Sequence, residues 1–289
     1  MGKNNRAATL VAVWLCLFNV FNGATQADPV APASENQGQW QVSISGKPVQ
    51  GALLLGHAPP GAHVTVNKTP VPVSDDGVFL LGIGRFNTRP LDVSIRTQGQ
   101  TYHMTVPVIR RDFPTEVVDG LPASKVNPPP AVLQRIRAEA ALVRQARNHV
   151  DQRTDFLSGF IWPAQGRVSG VYGSRRILNG EPKRPHYGMD IANATGTPVV
   201  APAAGVVRLA EPDLYYSGGT IIIDHGLGLS STYLHLSRID VIPGQRVQQG
   251  DKIGEIGASG RATGPHLDWR LNLGQKRLDP QLLLSSPTE

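Results

Sequence analysis

Histidine and aspartate residues at short spacings occur in the C-terminal half of the chain. His186 and Asp190 lie four residues apart, and Gly188 between them permits a turn that would aim both side chains at one metal ion. His266 and Asp268 lie two residues apart, so that on a β-strand both project from the same face. Imidazole and carboxylate groups bind zinc and transfer protons, so the pattern indicates a metal site with proton-transfer groups beside it.

A third segment adds another histidine. His235 lies within an alternating run, which predicts a strand that carries it on the opposite face from Leu234 and Leu236. Cys16 is the only cysteine, so the chain can form no internal disulfide. A metal site in this protein must therefore use His, Asp or Glu ligands.

The segments around these residues are predicted to form strands. Short apolar runs bounded by glycine and proline occupy residues 197–202, 205–209, 219–223 and 252–256. Such runs predict an antiparallel β domain, which we place at residues 159–284. Residues 285–289 form a short tail.

The N-terminal half shows a different kind of strand pattern. Apolar and polar residues alternate in short runs at residues 40–44, 63–66, 78–81, 91–95 and 102–106, and turn residues separate the runs. This pattern predicts a small β-sandwich over residues 39–108. The stretch 60–67, together with 76–79, resembles bacterial Ig-like modules.

Residues 109–158 are expected to connect the two β domains. We predict that residues 109–129 are irregular and that a helix follows from about 131 to 150, after three consecutive prolines. Leu133, Ile136, Ala140 and Val143 fall on one stripe of that helix. A connector packed on a neighbouring domain is the preferred interpretation, and a helix or Ig-like domain that binds a protein partner is the alternative.

The first 27 residues are typical of an export signal. Lys3 and Arg6 precede an apolar run over residues 7–21, and small residues at 25–27 suit cleavage. Leu15 before Cys16 does not fit a lipidation site. Cleavage would leave residues 28–38 as a flexible lead and no stable membrane span; an uncleaved anchor is the alternative.

The overall charge is mildly basic. The formal net charge is +6, and loss of the two basic residues of the signal lowers it to +4. This charge suits an anionic cell-envelope polymer, but scattered charge on a soluble protein explains it equally well. The sequence contains no nucleic-acid-binding motif.

Several short sequence motifs follow one another in the C-terminal half. They are residues 188–191, 196–202, 225–226, 233–235 and 264–266. Together they resemble the lysostaphin-type, or LytM-like, zinc endopeptidases, and the resemblance covers about residues 160–283. It implies a β-rich domain whose groove binds one Zn²⁺ ion per chain.

The resemblance also implies roles for individual residues. His186 and Asp190 correspond to metal ligands, and His235 and His266 correspond to the pair that flanks the catalytic water. The third ligand of the family is a histidine, whereas this chain has Asp268 at that position. A second carboxylate neutralises Zn²⁺ formally, so we expect a weaker Lewis acid.

The resemblance implies hydrolysis of peptide cross-links in peptidoglycan, with the peptide stems as substrate and the periplasm of a Gram-negative cell as the location. Which of His235 and His266 is the general base stays open at this point. The alternative function is a non-hydrolytic module that binds peptidoglycan or activates another cell-wall hydrolase, because a fold does not guarantee an activity.

Overall fold

The computed structural model describes residues 42–97 and 99–284. The expected signal, flexible lead and C-terminal tail lie outside the described residues, as does the start of the strand expected at residue 40. The protein is mainly β, as predicted from the sequence, and most of its strand pairs are antiparallel.

Two sheets form the N-terminal part. The strands are β1 (Ser43–Ser45), β2 (Leu53–His57), β3 (His63–Val66), β4 (Thr69–Val71), β5 (Val78–Gly82), β6 (Leu91–Thr97) and β7 (Gln100–Val106). One sheet has the order β1-β2-β5 and the other β4-β3-β6-β7. Alternate residues of β6 are buried, and Leu91, Val93 and Ile95 pack in one core with Phe79 and Leu54. The Ig-like assignment of these sheets stays a prediction.

The connecting segment is more ordered than the sequence suggests. It contains β8 (Thr115–Val118), the short helix α1 (Ala123–Val126), a 3-10 turn (Pro130–Val132), helix α2 (Leu133–Ala146) and a second 3-10 turn (Asp155–Ser158). The expectation that 109–129 is irregular was wrong, because β8 pairs in parallel with a strand of the C-terminal half. Helix α2 ends at Ala146, four residues before the end expected from the sequence, and Asp151 O beyond it accepts a hydrogen bond from the Leu227 amide.

The C-terminal part is built on one large sheet. Its strands are β9 (Arg167–Gly170), β10 (Arg175–Leu178), β11 (Glu181–Lys183), β12 (Met189–Ala192), β13 (Pro198–Val200), β14 (Gly205–Leu214), β15 (Gly218–Gly226), β16 (Leu229–Leu236), β17 (Arg238–Ile239), β18 (Arg246–Val247), β19 (Lys252–Glu255), β20 (His266–Leu273) and β21 (Lys276–Leu278), and a 3-10 turn (Pro280–Leu283) follows. The large sheet runs β18-β14-β15-β16-β20-β12-β9, with β21 beside β20. Two further sheets have three strands each, in the orders β11-β10-β8 and β13-β19-β17.

The core of this part lies on one face of the large sheet. Met189, Ile191, Tyr233, Leu267 and Trp269 point into it and are almost completely buried. Because side chains alternate along a strand, the residues between them face the opposite side of the sheet. The core therefore determines which residues of β12 and β20 are available to form a site.

Contacts also join the two parts. Val78 and Leu80 of β5 pack against Leu229, Leu271 and Leu278 in a shared apolar cluster. A partly buried ion pair joins the connecting segment to the C-terminal part, since Arg111 Nη1 lies 2.8 Å from Asp279 Oδ2. Burial raises the pKa of Asp279, although Arg111 opposes that shift.

Within the ranges given above, helices are too short or too polar to cross a lipid bilayer.

Candidate metal centre

Two buried aspartates face each other on neighbouring strands. Asp190 of β12 and Asp268 of β20 are direct cross-strand partners in an antiparallel pair. Both are buried, with 7% and 1% of their surface exposed. Like charges directly opposite one another destabilise a sheet, so this arrangement requires nearby positive charge.

His186 joins the two carboxylates. One ligand atom from each of His186, Asp190 and Asp268 lies within 4.8 Å of the others. His186 Nε2 is 3.0 Å from Asp190 Oδ1, but the two atoms do not form a well-directed hydrogen bond, and neither has another partner within the described ranges. Buried polar atoms without partners are costly, and atoms that converge in this way fit a bound cation.

Two glycines make room for the carboxylates. A Cβ atom on Gly188 would overlap Asp268 Oδ1, and one on Gly170 would overlap Asp190 Oδ2. Gly188 does not have a positive φ. The chain bends at Gly188, as the sequence interpretation expected, and the close approach of Asp268 is a further reason for glycine at this position.

An arginine binds each of the two aspartates. Arg270 donates to Asp268, with Nε 2.9 Å from Oδ1 and Nη2 2.5 Å from Oδ2. Arg176 Nη2 donates to Asp190 Oδ2 at 2.7 Å. Arg176 also donates to Glu116, its register partner on β8, with Nε 3.3 Å from Oε2. The connecting segment thus orients an arginine of the site.

These contacts keep both aspartates ionised. Burial alone would raise the pKa of Asp268, but Arg270 and His186 hold it well below its ordinary value. Burial also opposes ionisation of Asp190, and His186 and Arg176 hold its pKa below the ordinary value. Two anionic carboxylates and one imidazole are therefore available to a cation.

His235 reaches the site through a β-bulge. Between Tyr233 and Leu236 strand β16 has one residue more than the facing segment of β15, and His235 has a φ of 66°. A residue with a left-handed backbone conformation at a bulge directs its side chain differently from a residue in a regular strand. The expectation that His235 simply alternates with its neighbours was wrong, since Leu234 and His235 both line the same cavity.

His235 and His266 lie side by side with similar hydrogen bonds. Their ring centroids are 4.8 Å apart. His235 Nδ1 lies 2.7 Å from Ser259 O, and His266 Nδ1 lies 2.8 Å from Gly264 O. A carbonyl oxygen only accepts, so each Nδ1 carries the proton and each Nε2 presents a lone pair.

The surroundings keep His235 neutral. Burial lowers its pKa to about 4, with Asp268 opposing the shift. The Nε2 atom of His266 lies 4.0 Å from Asp190 Oδ1. Both rings thus border the three ligand atoms, and each can accept a proton at Nε2.

Two of the three neighbouring residues considered from the sequence, His225 and Trp269, have structural roles. His225 is fully buried, with Nδ1 2.6 Å from Ala204 O and Nε2 2.7 Å from Ser231 Oγ. It therefore ties strands together and is not a metal ligand. Trp269 packs in the core, whereas Tyr187 lines the cavity beside Arg277.

Three arginines and a glutamate of the site were missed in the sequence. Arg270 could have been found, because it lies two residues after Asp268 and the same alternation that pairs His266 with Asp268 includes it. Arg176 and Glu116 meet through a parallel pairing between distant segments, and Arg147 extends from the end of α2. No local spacing predicts those contacts.

The site lies in a cavity of about 590 Å³. Helix α2 lines one side of it, and strands β16 and β20 line the floor. The cavity brings His186, His235 and Asp268 together in one concave surface, which is typical of an active site.

Comparison with known proteins agrees with this geometry. Residues 184–280 match the model of peptidase family M23. A solved structure from Pseudomonas aeruginosa assigned to peptidase M23 is 30% identical; the match covers 82% of this chain and 95% of that chain, with a TM-score of 0.65. This chain belongs to peptidase family M23.

Curated relatives match parts of the chain. The peptidoglycan DD-endopeptidase ShyA of Vibrio cholerae is 43% identical over 146 residues, which are 48% of this chain and 34% of that protein. The DD-carboxypeptidase/endopeptidase Mpg of Neisseria meningitidis is 35% identical over 114 residues, 39% of this chain and 26% of that protein. The matches thus span about a third or less of these relatives.

Proposed function

We propose that this protein is a zinc-dependent endopeptidase that hydrolyses the peptide cross-links of peptidoglycan. One Zn²⁺ ion per chain would be held by His186, Asp190 and Asp268. The observation that carries the proposal is the convergence of these three ligand groups beside the free Nε2 atoms of His235 and His266.

The donor set fits zinc. Zinc accepts imidazole nitrogen and carboxylate oxygen at similar distances and, in catalytic sites, takes three protein ligands with one open position. The unpartnered buried atoms of His186 and Asp190 and the facing carboxylates support a cation there. Gly170 and Gly188 lack the Cβ atoms that would overlap those carboxylates.

Zinc at this position would supply a Lewis acid that polarises the scissile carbonyl and makes a water molecule more acidic. The chain supplies the proton transfers. His235 and His266 each have a lone pair at Nε2 and a fixed Nδ1–H, so either ring can take a proton from the attacking water and return it to the leaving amine. Hydrogen bonds that the Nδ1–H groups donate to Ser259 O and Gly264 O keep both rings in that tautomer.

The substrate class rests on the names of the relatives. Both ShyA and Mpg are named as endopeptidases, and ShyA as one of peptidoglycan. Transfer of that substrate to this chain implies a location outside the cytoplasm, and we propose the periplasm. The basic N-terminal run followed by an apolar stretch supports export. The net charge, which falls from +6 to +4 with loss of the two basic residues of the signal, suits an acidic polymer.

Metal analysis tests the proposed ligand set. Purified protein dialysed against a buffer that contains trace zinc should retain one equivalent of zinc per chain. The His186→Ala variant should retain no zinc. The matched control is His103→Ala, which removes an exposed imidazole from β7 and should leave the stoichiometry unchanged. If wild-type protein retains no zinc, the ligand set is wrong, and a non-hydrolytic peptidoglycan-binding or regulatory role becomes the better interpretation.

A further inference from the structure

The charged residues that line the cavity beside the candidate metal centre are mainly basic. Its charged lining comprises Arg147, Arg176, Lys183, Arg184, Arg261, Arg270 and Arg277 against Glu139 and Asp268. Arg176 and Arg270 bind the aspartates of the site, and Glu139 binds Arg135 on the same helix. The cavity therefore retains an excess of positive charge after these ion pairs are formed.

Arg147 is the most unusual of these cations. It follows the last residue of α2, and its Nη2 donates to Thr232 Oγ1 at 2.9 Å. Its Nε is buried and has no hydrogen-bond partner in the part of the chain that the structure describes. Burial and the charges of Arg270 and Arg277 lower the pKa of Arg147 to about 9. A buried donor without a partner is expensive, which indicates that an acceptor is missing.

The sheet register places Arg147 close to the metal centre. Thr232 lies directly opposite Arg270 on the neighbouring strand, and Leu234 lies opposite Asp268. Side chains two residues apart on one strand project from the same face of the sheet and are about 7 Å apart. Two residues of an extended peptide have the same length. An anion bound to Arg147 would therefore lie about two peptide residues from the metal ligands.

We infer that Arg147, with Arg277 beside it, forms a subsite that binds a carboxylate of the peptide substrate. A cross-link uses the terminal carboxyl of one stem and leaves that of the other stem free, and a guanidinium group binds carboxylates through two parallel hydrogen bonds. The free Nε–H and the remaining Nη protons of Arg147 provide that pair of donors. This inference rests on the proposed function, because it takes the ligand to be the peptide whose bond is cut.

Peptide binding to the full chain tests the subsite without requiring hydrolysis. The probes are a synthetic stem peptide with a free C-terminal carboxylate and the same peptide with a C-terminal carboxamide. Calorimetry uses the zinc-supplemented His266→Ala variant, and mass spectrometry checks that the peptides stay intact. The carboxylate form should bind about tenfold more tightly than the amide, as a charge-assisted hydrogen bond requires.

Substitutions at the end of α2 assign that preference to one residue. In the His266→Ala background, Arg147→Gln should bring the ratio of the affinities for the carboxylate and carboxamide peptides close to one. Arg147→Lys should retain part of the preference for the carboxylate. Arg144→Gln removes an exposed positive charge from the same helix and should leave the ratio unchanged. Thr232→Val removes the hydrogen bond to Arg147 but keeps its charge, so it should preserve most of the ratio.

The outcomes separate the subsite from the proposed activity. An equal affinity for acid and amide in the parent protein, or a ratio that survives Arg147→Gln in a folded variant, would overturn the inference. If the wild-type chain cuts no cross-link but the carboxylate preference depends on Arg147, the endopeptidase proposal fails and the subsite stands.

Discussion

Asp268 and Arg270 form a two-point ion pair between residues of the same strand face, with Nε–Oδ1 and Nη2–Oδ2 distances of 2.9 and 2.5 Å. This pair occupies the position at which the resemblance implies a histidine ligand. The charge of Arg270 offsets that of Asp268, so the aspartate and arginine together carry the same net charge as a neutral imidazole. The expected loss of Lewis acidity from a second carboxylate should therefore be smaller than the ligands alone indicate.

Arg270→Gln should lower the stability of the metal-free protein more than that of the zinc-bound protein. Without Arg270 the facing charges of Asp190 and Asp268 repel, and removing one partner of a buried pair costs about 3–5 kcal/mol. Zinc would replace the missing positive charge. The measurement is the melting temperature with and without a chelator. An identical zinc-induced shift in wild type and variant would contradict this account.

Asp268→His should retain zinc but destabilise the fold. Imidazole is a good zinc ligand, yet the substitution leaves Arg270 without its carboxylate partner. The double variant Asp268→His/Arg270→Gln should therefore be more stable than the single Asp268→His variant. Urea unfolding of the four proteins completes the cycle. Additive effects would show that Asp268 and Arg270 do not act as a pair.

Gly188→Ala should disrupt the metal centre. The added Cβ overlaps Asp268 Oδ1, so the carboxylate must move away from Asp190. We expect zinc affinity to fall at least about tenfold, as for other changes that displace a ligand. The matched control is Gly264→Ala, where an added Cβ meets nothing within 4 Å. Wild-type zinc affinity in Gly188→Ala would show that the carboxylate is free to relax.

Stability should fall as the pH drops below 6.5, partly because of His225. Burial lowers its pKa to about 4 from the ordinary 6.5, so between these values the unfolded chain binds a proton that the folded chain does not. Stability due to this group is complete above pH 6.5 and is lost toward pH 4, by about 1.4 kcal/mol per pH unit.

Urea unfolding at pH 7 and pH 5 measures that effect. His225→Gln does not titrate and should lose about 2 kcal/mol less than wild type between the two pH values. His103→Gln alters an exposed histidine and should behave as wild type does. A wild-type pH dependence in His225→Gln would mean that other groups dominate.

The sequence predicted the mainly β fold because alternation is a local property. Strand β3 begins and ends where the alternating run does, and β6 extends its run by two residues. Strand β8 was missed, since its pairing with β10 depends on residues about sixty positions away. Contacts of that range leave no local pattern in the sequence.

The candidate site was predictable to a similar extent. Asp190 and Asp268 lie on strands that the sequence predicts, and the register of those strands places the two residues opposite each other. The left-handed backbone of His235 was not predictable, because a bulge depends on the neighbouring strand. The roles of His186, Asp190, Asp268, His235 and His266 stay predictions that the geometry supports.

Digestion of purified peptidoglycan sacculi tests the central claim most directly. Wild-type protein with zinc should convert cross-linked muropeptides into monomers, whereas His266→Ala should retain zinc and leave the cross-links intact. The substitution removes one of the two imidazoles with a free Nε2 and none of the proposed metal ligands. Identical muropeptide profiles from wild-type protein and His266→Ala would contradict the assignment of this cavity as an endopeptidase active site.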